Sequence, residues 1–554
     1  MTYQPTPAQQ QVIDAEDPVL LVLGGAGTGK TSTAAAAVRT CLERHDREAA
    51  GGPGSRRPRA LFLSFSRAAV AQILDRTAGI LGTYRDQVEI TTYHAFAWSL
   101  IERFGSAAGL PEPVLATEAE LKLFQPAGAI RYKEMVPLAL RLCRVPAIAA
   151  HLRSRWSLIV CDEYQDTDES QFQLLTAIRG DARLLLLADP NQCIYASLPD
   201  AVGVGPERLD AALALPGARQ IILPEASHRD PTGVLPAAAA AIRVRDFGHD
   251  AVTTAVSSGR LQVYAGLDLA YEAATVAAVV RHLRAEGHTV GVFSHHVDST
   301  TTLSDQLQHS GVDHEIIGLP ESVTTALDAQ HAMVAFAGGT ADWDLVRSQL
   351  AVSVASNERG SRAPELALMI LGARPLPASL AGRLDQLRVE LAGSGLTAAA
   401  DIASQAHRVL GFTRGERQWR RAARLFRPLV ARSARHTTRA DSVLAVLDRA
   451  VSRQRASLLT YAADADPVPV QLMGLYQTKG READATVVVL RSNDFYGKER
   501  SPFPVGSRLL YVVLTRARHK TLLLLFGDGL PPLIAPLANL ASAGPSARIP
   551  RLAG

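Results

Sequence analysis

One segment near the start of the chain constrains the fold more than any other feature. An apolar run at residues 19–23 leads directly into GGAGTGKT at residues 24–31, and a helix-forming run follows at residues 32–42. A strand that passes through a glycine-rich loop into a helix is the context of the P-loop pattern. Glycines allow successive backbone N–H groups to face one anion, and the helix N-terminus adds partial positive charge. The segment therefore predicts a phosphate-binding turn.

The side chains of this turn indicate how a nucleoside triphosphate would bind. Lys30 can reach the β- and γ-phosphates, and the Thr31 hydroxyl can bind Mg²⁺. The structural alternative is a tight strand-to-helix turn with an exposed lysine. The predicted nucleotide-binding residues of the turn are Gly24, Ala26, Gly27, Thr28, Gly29, Lys30 and Thr31.

Two consecutive carboxylates follow another apolar run, at residues 158–161. They are Asp162, a candidate Mg²⁺ ligand, and Glu163, which would orient or activate the attacking water. Acidic pairs after strands are common and usually solvated, so this interpretation depends on the P-loop found upstream.

Short apolar runs recur along the chain, each bounded by turn residues and followed by a helical pattern. Such runs fit strands that are buried on both faces of a parallel sheet. Strands that alternate with helices predict βαβ units and an α/β fold. The runs lie at residues 19–23, 60–65, 158–161, 184–188, 220–223, 290–293, 486–490 and 521–526.

Two long stretches without such runs interrupt the pattern and predict two α/β cores, each with a helical insertion. The first core would comprise residues 1–96 and 157–222, with a small insertion at 97–156. The second would comprise residues 223–330 and 470–554, with a large insertion at 331–469. A chain of 554 residues is long enough to need several cores.

Composition narrows the class of protein. The net charge is only +4, so any site for a polyanion must come from local clusters of charge. The four cysteines form no CxxC pair, which argues against a zinc site or a disulfide scaffold. The first 18 residues contain no secretory apolar region, and glycines and prolines interrupt the apolar stretch at 521–541. We expect a cytoplasmic protein without a membrane span.

At residues 162–166 the sequence DEYQD resembles the UvrD/Rep family of superfamily 1 helicases, and further motifs of that family follow in order. The resemblance implies two RecA-like cores, binding of ATP and Mg²⁺, and action on single-stranded DNA. The similar segments are TPAQQQV at 6–12, SFSRAA at 64–69, TYHAF at 92–96, DPNQCIY at 189–195, SHR at 227–229, QTKGRE at 477–482 and LYVVLTRA at 510–517.

The resemblance also implies roles for individual side chains. Gln9 would read adenine, and Gln192 would sense the γ-phosphate. Arg229 and Arg516 would bring positive charge from the second core to the nucleotide, and Glu482 would lie beside it. The side chains implied to contact the DNA strand are Phe65, Thr92, Tyr93, His94, Tyr195 and Lys479. For each of these aromatic residues, core packing is the structural alternative.

A basic segment lies within the predicted large insertion. Residues 414–439 contain nine arginines and one histidine against a single acid. Arg417, Arg421 and Arg424 fall on one face of a helix, where they would suit phosphate contacts. A solvated or autoinhibitory surface, and a site for a protein partner, are the alternatives.

The resemblance implies an ATP-dependent 3′→5′ DNA helicase or translocase acting on single-stranded DNA or at its junction with a duplex. The sequence departs from the family after Tyr195, where ASLPD lacks a further aromatic and an arginine, and at Tyr476, where histidine is common. The absent aromatic, together with a first insertion that is short for this family, favours an alternative: a helicase-like ATPase subunit of a nuclease or anti-phage defence complex, which senses DNA without processive unwinding. An RNA helicase or a P-loop kinase is a further alternative, although a kinase would lack the second core.

Overall fold

The computed structural model describes residues 3–49, 58–124, 126–197, 202–224, 226–295, 297–317, 321–358, 360–436, 443–448, 468–492, 494 and 506–543. The chain divides into two compact units. The sheet unit comprises Met1–Ala97, Ala139–Gly318 and Ala463–Gly554, and the helical unit comprises Trp98–Leu138 and Leu319–Ala462.

Within the described part of the chain, twelve of the fourteen strands have two to seven residues, whereas the last two have nine and ten. In chain order they are β1 (Val19–Leu23), β2 (Ala60–Ser64), β3 (Val88–Thr92), β4 (Val114–Leu115), β5 (Ala129–Ile130), β6 (Leu158–Cys161), β7 (Arg183–Ala188), β8 (Ala218–Ile222), β9 (Leu261–Leu267), β10 (Val290–Ser294), β11 (Glu315–Ile316), β12 (Val470–Gly474), β13 (Ala483–Arg491) and β14 (Ala517–Phe526).

The helices connect the strands and build the helical unit. They are α1 (Pro7–Asp14), α2 (Lys30–Ala49), α3 (Arg67–Leu81), α4 (Tyr93–Phe104), α5 (Glu118–Leu123), α6 (Met135–Leu142), α7 (Pro146–Arg153), α8 (Glu169–Arg179), α9 (Pro206–Leu213), α10 (Val234–Arg243), α11 (Asp250–Ser257), α12 (Glu272–Ala285), α13 (Val297–His309), α14 (Glu321–Ala337), α15 (Trp343–Ser356), α16 (Glu365–Leu371), α17 (Ala378–Ala392), α18 (Leu396–Leu410), α19 (Glu416–His436), α20 (443–448), α21 (Gly506–Leu514) and α22 (Ala535–Ala543).

The sheet unit contains two six-stranded sheets whose described pairings are all parallel. The first has the order β3-β2-β6-β7-β1-β8, and the second has the order β11-β12-β10-β13-β14-β9. In the first sheet β1 lies between β7 and β8, with Leu21 in register with Leu186 and Gln220. The prediction of an α/β fold with two parallel-sheet cores is confirmed.

Several strands were not predicted from the sequence, and their positions explain why. β3 lies at the edge of the first sheet, and β9 and β11 lie at the two edges of the second. Edge strands are partly solvated, so their sequences carry polar residues and lack a continuous apolar run. β12 is an inner strand, but its sequence VQLMG contains both a polar residue and a glycine.

The helical unit draws on both predicted insertions. Helix α5 packs on α15, and the Lys122 ammonium donates to the carbonyl oxygens of Ala355 and Glu358 at 3.1 and 2.9 Å. The short parallel pair β4–β5 also belongs to this unit. Helices α14, α15, α18 and α19 surround an apolar core that includes Trp419 and Phe426.

Among the described residues, no single helix is long and apolar enough to cross a membrane. One sharply bent pair of helical segments, Tyr132–Leu142 and Pro146–Arg153, meets the criterion together on length and composition alone. The four cysteines, Cys41, Cys143, Cys161 and Cys193, are buried free thiols.

Replacing Phe426 with alanine should destabilise the helical unit by about 3–5 kcal/mol, because a fully buried aromatic ring is lost and a cavity remains. Hydrogen exchange of the backbone amides of α14, α18 and α19 at increasing urea concentrations would measure the decrease in the free energy of unfolding. Val389→Ala is the control, since Val389 on α17 is 70% exposed and its change should stay within about 0.5 kcal/mol. Equal effects of the two substitutions would refute this packing.

Candidate functional site

The loop at residues 24–31 connects β1 to α2 and includes the first two residues of α2. It begins where β1 ends, at the carboxyl ends of the parallel strands of the first sheet. Gly27 and Gly29 have φ angles of +79° and +83°, values that residues with a Cβ rarely adopt. A Cβ on Gly27 would also clash with the Ser227 hydroxyl. The glycines are therefore required both by the backbone conformation and by the close approach of the neighbouring segment.

The Lys30 side chain lies across this loop. Its ammonium donates to the carbonyl oxygens of Gly24 and Gly25, at 2.5 and 3.0 Å. Thr31 is half-buried in the first turn of α2. A cation, a hydroxyl and the first amides of a helix thus occur together, which suits a phosphate chain.

Gln9, in α1, forms a hydrogen bond with this loop. Thr6 caps α1 in a capping box with Gln9, and the Gln9 amide donates to the Thr28 carbonyl oxygen at 3.0 Å. The backbone N–H of His228 donates to the Gly27 carbonyl oxygen at 2.7 Å. Segments from before β1 and after β8 therefore fix the shape of the loop.

The carboxylates of Asp162 and Glu163 lie at the end of β6. Glu163 has a φ of +54°, and its carboxylate accepts a hydrogen bond from the Gln165 amide at 2.6 Å. Burial raises the pKa of Asp162 to about 7, and the charge of Glu163 adds to this shift. Burial also raises the pKa of Glu163, but Lys479, Lys30 and Arg516 outweigh it and lower that pKa to about 2.

Arg516 joins the second core to the nucleotide loop through a chain of hydrogen bonds. Its guanidinium donates to the Gln192 amide oxygen at 3.0 Å, and the Gln192 amide donates to the Asp189 carboxylate at 2.8 Å. The Tyr511 hydroxyl donates to the same carboxylate at 3.2 Å and accepts from the Ala26 N–H at 3.4 Å. Burial lowers the pKa of Arg516 to about 10, and Arg229 adds to this effect.

Arg229 and Glu482 form a second ionic contact in the same region. The Arg229 guanidinium contacts the Glu482 carboxylate and the Thr515 carbonyl oxygen. Arg76 on α3 lies 2.6 Å from the other Glu482 oxygen. Burial raises the pKa of Glu482, but Arg229 and Arg76 outweigh it and hold that pKa well below its usual range.

Several residues of this network were not predicted individually. Tyr511 and Asp189 lie inside segments that the motifs identified, but neither was assigned a role. Tyr511 occupies the helical turn before Thr515, whose hydroxyl donates to the Tyr511 carbonyl oxygen at 2.9 Å. The motif at residues 510–517, which contains both Tyr511 and Arg516, is the signal that could have indicated Tyr511. Arg76 lies beyond the quoted segment at 64–69, and the sequence contains no comparable signal for it.

The predicted strand contacts Phe65, Tyr195 and Lys479 lie together. The Phe65 and Tyr195 rings stack with centroids 4.8 Å apart and planes inclined by 25°. The Tyr476 ring from the second core lies 6.3 Å from Tyr195, and the Tyr195 hydroxyl donates to the Tyr476 carbonyl oxygen at 2.7 Å. The Lys479 ammonium lies 5.5 Å from the Tyr195 ring centroid. Residues 198–200, where the family pattern is lost, lie outside the described residues.

Thr92, Tyr93 and His94 lie where β3 runs into α4; Thr92 and Tyr93 are buried, and His94 is half-buried. The Thr92 hydroxyl accepts from the Ala95 N–H at 3.1 Å and so caps α4. Tyr93 is fully buried, with its hydroxyl 3.5 Å from that of Thr167. Its ring belongs to the core of the protein. Burial lowers the pKa of His94 to about 4.

The basic face predicted on α19 needs one correction. Arg417 is exposed and Arg424 is half-buried, but Arg421 is buried within the helical unit. Arg420 and Arg427, which flank the predicted face, are exposed instead. Arg420 pairs with Glu416 at 3.7 Å, and Arg427 pairs with Asp401. Residues 437–439 of the basic segment lie outside the described residues.

The fold and the site define an α/β protein of the P-loop NTPase class with two parallel-sheet cores. A family model described as an AAA domain matches residues 9–198. DNA helicase II of Escherichia coli strain K12 is 23% identical over 297 residues, which cover 42% of this chain and 39% of that protein. ATP-dependent DNA helicase UvrD1 of Mycobacterium tuberculosis strain H37Rv is 22% identical over 393 residues, which cover 56% of this chain and 49% of that protein.

A shorter match involves the RecBCD enzyme subunit RecB of Mycolicibacterium smegmatis. It is 44% identical over 46 residues, covering 8% of this chain and 4% of that protein. The chain thus matches about half or less of the length of these curated relatives. The matches confirm the family resemblance predicted from the motifs: this chain is similar to UvrD/Rep-like superfamily 1 helicases.

The pKa of His94 gives a direct test of the burial around β3 and α4. The pKa of a histidine in an unfolded chain is about 6.5, whereas the pKa of His94 in the folded protein is about 4. Between these pH values the unfolded state binds more protons, so folding stability should fall as the pH falls. NMR titration of the His94 ring should give a midpoint near 4, and His94→Gln should reduce the acid-side loss of stability. A midpoint at or above 6.5 would contradict this burial.

Proposed function

We propose that this chain is an ATP-driven motor that moves 3′→5′ along single-stranded DNA. The observation that carries the proposal is the contact of Arg516 and Tyr511, from the second core, with the network around the nucleotide loop of the first. Hydrolysis at such a site depends on how the two cores meet, which is the basis of a motor. The direction of movement rests on the resemblance to the UvrD branch. A cytoplasmic role in DNA repair, replication or defence would follow.

In the proposed reaction, a water oxygen bonds to the γ-phosphorus of ATP as the bond from that phosphorus to the β–γ bridging oxygen breaks. ADP leaves with that oxygen and its electron pair, and the water proton passes to the Glu163 carboxylate. Lys30 neutralises charge on the β- and γ-phosphates, and Gln192 contacts the γ-phosphate. Arg516 and Arg229 stabilise the negative charge that develops on the equatorial oxygens.

The residues near the loop also suit Mg²⁺. The Thr31 hydroxyl and the Asp162 carboxylate offer the hard oxygen donors that this ion prefers. The carboxylates of the buried Asp162 and the half-buried Glu163 are adjacent, and a cation beside them would reduce their mutual repulsion. When bound, Mg²⁺ would supply charge neutralisation on the triphosphate oxygens.

Both cores contribute side chains to the proposed strand site. Phe65 and Tyr195 come from the first core, whereas Tyr476 and Lys479 come from the second. Aromatic side chains bind bases by stacking without sequence preference, as translocation requires. Strand contacts shared by two cores can alternate as the cores move, which would convert hydrolysis into steps along DNA.

The arginines of α19 are proposed as additional phosphate contacts. Arg417, Arg420 and Arg427 are the exposed members of the basic face. Because Arg420 and Arg427 already pair with acids, DNA would have to compete for them. The exposed Arg417 is therefore the stronger candidate.

A second candidate function is a helicase-like ATPase subunit of a nuclease-containing assembly. The match to RecB favours it, since RecB is named as a subunit of the RecBCD enzyme. The segment after Tyr195, ASLPD at residues 196–200, lacks the further aromatic and the arginine of the family pattern, which favours weaker strand separation. Unwinding of duplexes with 3′ or 5′ tails distinguishes the two functions. Unwinding of the 3′-tailed substrate by the isolated chain supports the motor. Stimulated ATPase activity without unwinding, restored by a co-purifying nuclease, supports the subunit.

Substitution at the nucleotide site should separate binding from chemistry. Lys30→Ala and Glu163→Gln should abolish ATP hydrolysis, and Arg516→Ala should lower kcat by about 10³–10⁵ with a smaller effect on nucleotide affinity. A phosphate-release assay with saturating single-stranded DNA would measure kcat. Arg219→Ala is the control, because Arg219 forms only an exposed contact with Asp17 at 3.5 Å. DNA-stimulated turnover by Glu163→Gln would exclude Glu163 as the base.

The stacked aromatic pair generates a prediction for strand binding. Phe65→Ala or Tyr195→Ala should weaken binding of an oligothymidylate by about 1–3 kcal/mol, the usual contribution of one stacked base. Fluorescence anisotropy at fixed salt would measure the dissociation constant. Tyr271→Ala provides a control, since Tyr271 is exposed on the second core. Equal affinities of all three variants and the unsubstituted chain would remove this pair from the strand site.

A further inference from the structure

Arg76 lies on α3 of the first core, outside the motif segments of the sequence, yet it contacts the nucleotide region of the second core. Its guanidinium lies 2.6 Å from the Oε2 oxygen of Glu482. The Arg76 side chain is 40% exposed, whereas that of Glu482 is only 5% exposed. A buried carboxylate of the second core therefore takes part of its neutralising charge from an arginine at the surface of the first.

Helix α3 meets the segment before β13 at a second point. Gly480 has a φ of +72°, and a Cβ at that position would lie 3.1 Å from the Ala69 Cβ. Ala69 and Arg76 are seven positions apart, so they lie on the same face of α3, about two helical turns apart. One face of the helix therefore docks on this segment and fixes how Arg76 approaches Glu482.

Glu482 divides its two carboxylate oxygens among arginines. The Oε1 oxygen contacts the Arg229 guanidinium, and the Oε2 oxygen contacts Arg76. Arg518 is farther away, at 3.4 Å from Oε2, and its guanidinium also lies 3.4 Å from the Asp484 carboxylate. Arg518 therefore gives Glu482 only part of its charge, and Arg76 is the stronger partner of that oxygen.

Arg229 is bonded at two nitrogens but not at the third. Its guanidinium donates to the Glu482 carboxylate and to the Thr515 carbonyl oxygen. Among the described residues, the buried Nε of Arg229 has no hydrogen-bond partner. A buried donor without a partner is uncommon in folded proteins and suits a site where an anionic ligand completes the bonding. Because the guanidinium must turn to present its donors to a phosphate, a strong hold by Glu482 would oppose its proposed role.

We propose that Arg76 is a positioning residue, which shares the Glu482 carboxylate and thereby leaves Arg229 able to stabilise the charge on the γ-phosphate. This inference rests on the proposed function, because it assigns Arg229 to the triphosphate. A carboxylate attracts one guanidinium less strongly when a second cation neutralises part of its charge. Since Arg76 belongs to the first core, Arg229 gains this freedom only when the two cores meet.

Substitution of Arg76 by glutamine should lower kcat about tenfold, the effect of one charge-assisted hydrogen bond. Without Arg76, Glu482 binds Arg229 more tightly, so less positive charge reaches the γ-phosphate. Affinity for a non-hydrolysable ATP analogue should change less than kcat, since Lys30 and the loop amides bind the phosphates. A phosphate-release assay with and without an oligothymidylate measures kcat. Arg76→Lys should restore most of the loss, because it returns the positive charge.

A double-mutant cycle shows whether Arg76 acts through Glu482. In a Glu482→Gln background the carboxylate is gone, so Arg76→Gln should have little further effect on kcat. General damage to α3 would instead lower kcat by the same factor in both backgrounds. Urea unfolding establishes that each variant is folded.

A matched control lies on α2. Arg39 and Glu43 form an exposed pair that is also 2.6 Å apart, so Arg39→Gln should leave kcat unchanged. An unchanged or higher kcat in Arg76→Gln, or equal losses in the two backgrounds of the cycle, would overturn the inference alone. If the unsubstituted chain hydrolyses ATP but no polynucleotide stimulates it, the proposed motor fails, whereas the comparison of the Arg76 variants remains valid.

Discussion

The contact on which the rest of the structure depends is the hydrogen-bonded chain from Arg516 through Gln192 and Asp189 to Tyr511 and the nucleotide loop. It places a cation from near the end of the sequence beside a loop from near its beginning. Buried ion pairs and buried arginines contribute little net stability, because desolvation offsets their attraction. Their concentration where the two sheets meet is therefore better explained by chemistry than by folding.

In the proposed function, strand binding and nucleotide chemistry depend on neighbouring residues. The Lys479 ammonium contacts the Asp166 carboxylate and lies 5.5 Å from the Tyr195 ring centroid, and Glu482 pairs with both Arg229 from the second core and Arg76 from the first. A small movement of one core against the other would change all these contacts together. The two sheets supply rigid supports for such a movement, since most residues of their inner strands are apolar and buried.

The sequence predicted the parts of this architecture that depend on local pattern. The loop at 24–31 and the acids after β6 could be found because a strand, a turn and a helix must follow one another. Contacts between distant residues could not be found in this way: the partners Lys479 and Asp166 are separated by 313 positions. Helical periodicity also failed at Arg421. The core-facing side of α19 is marked by Trp419 and Phe426, so the burial of Arg421 must come from other segments, which the pattern of one helix does not encode.

The central claim is that both cores bind the same triphosphate. A crystal structure with a non-hydrolysable ATP analogue and Mg²⁺ tests it most directly. The account predicts that the Lys30 ammonium and the Arg516 guanidinium both lie at hydrogen-bonding distance, about 2.7–3.2 Å, from oxygens of the γ-phosphate. An analogue that is bound in the loop by Lys30 while Arg516 points away from its γ-phosphate would contradict it.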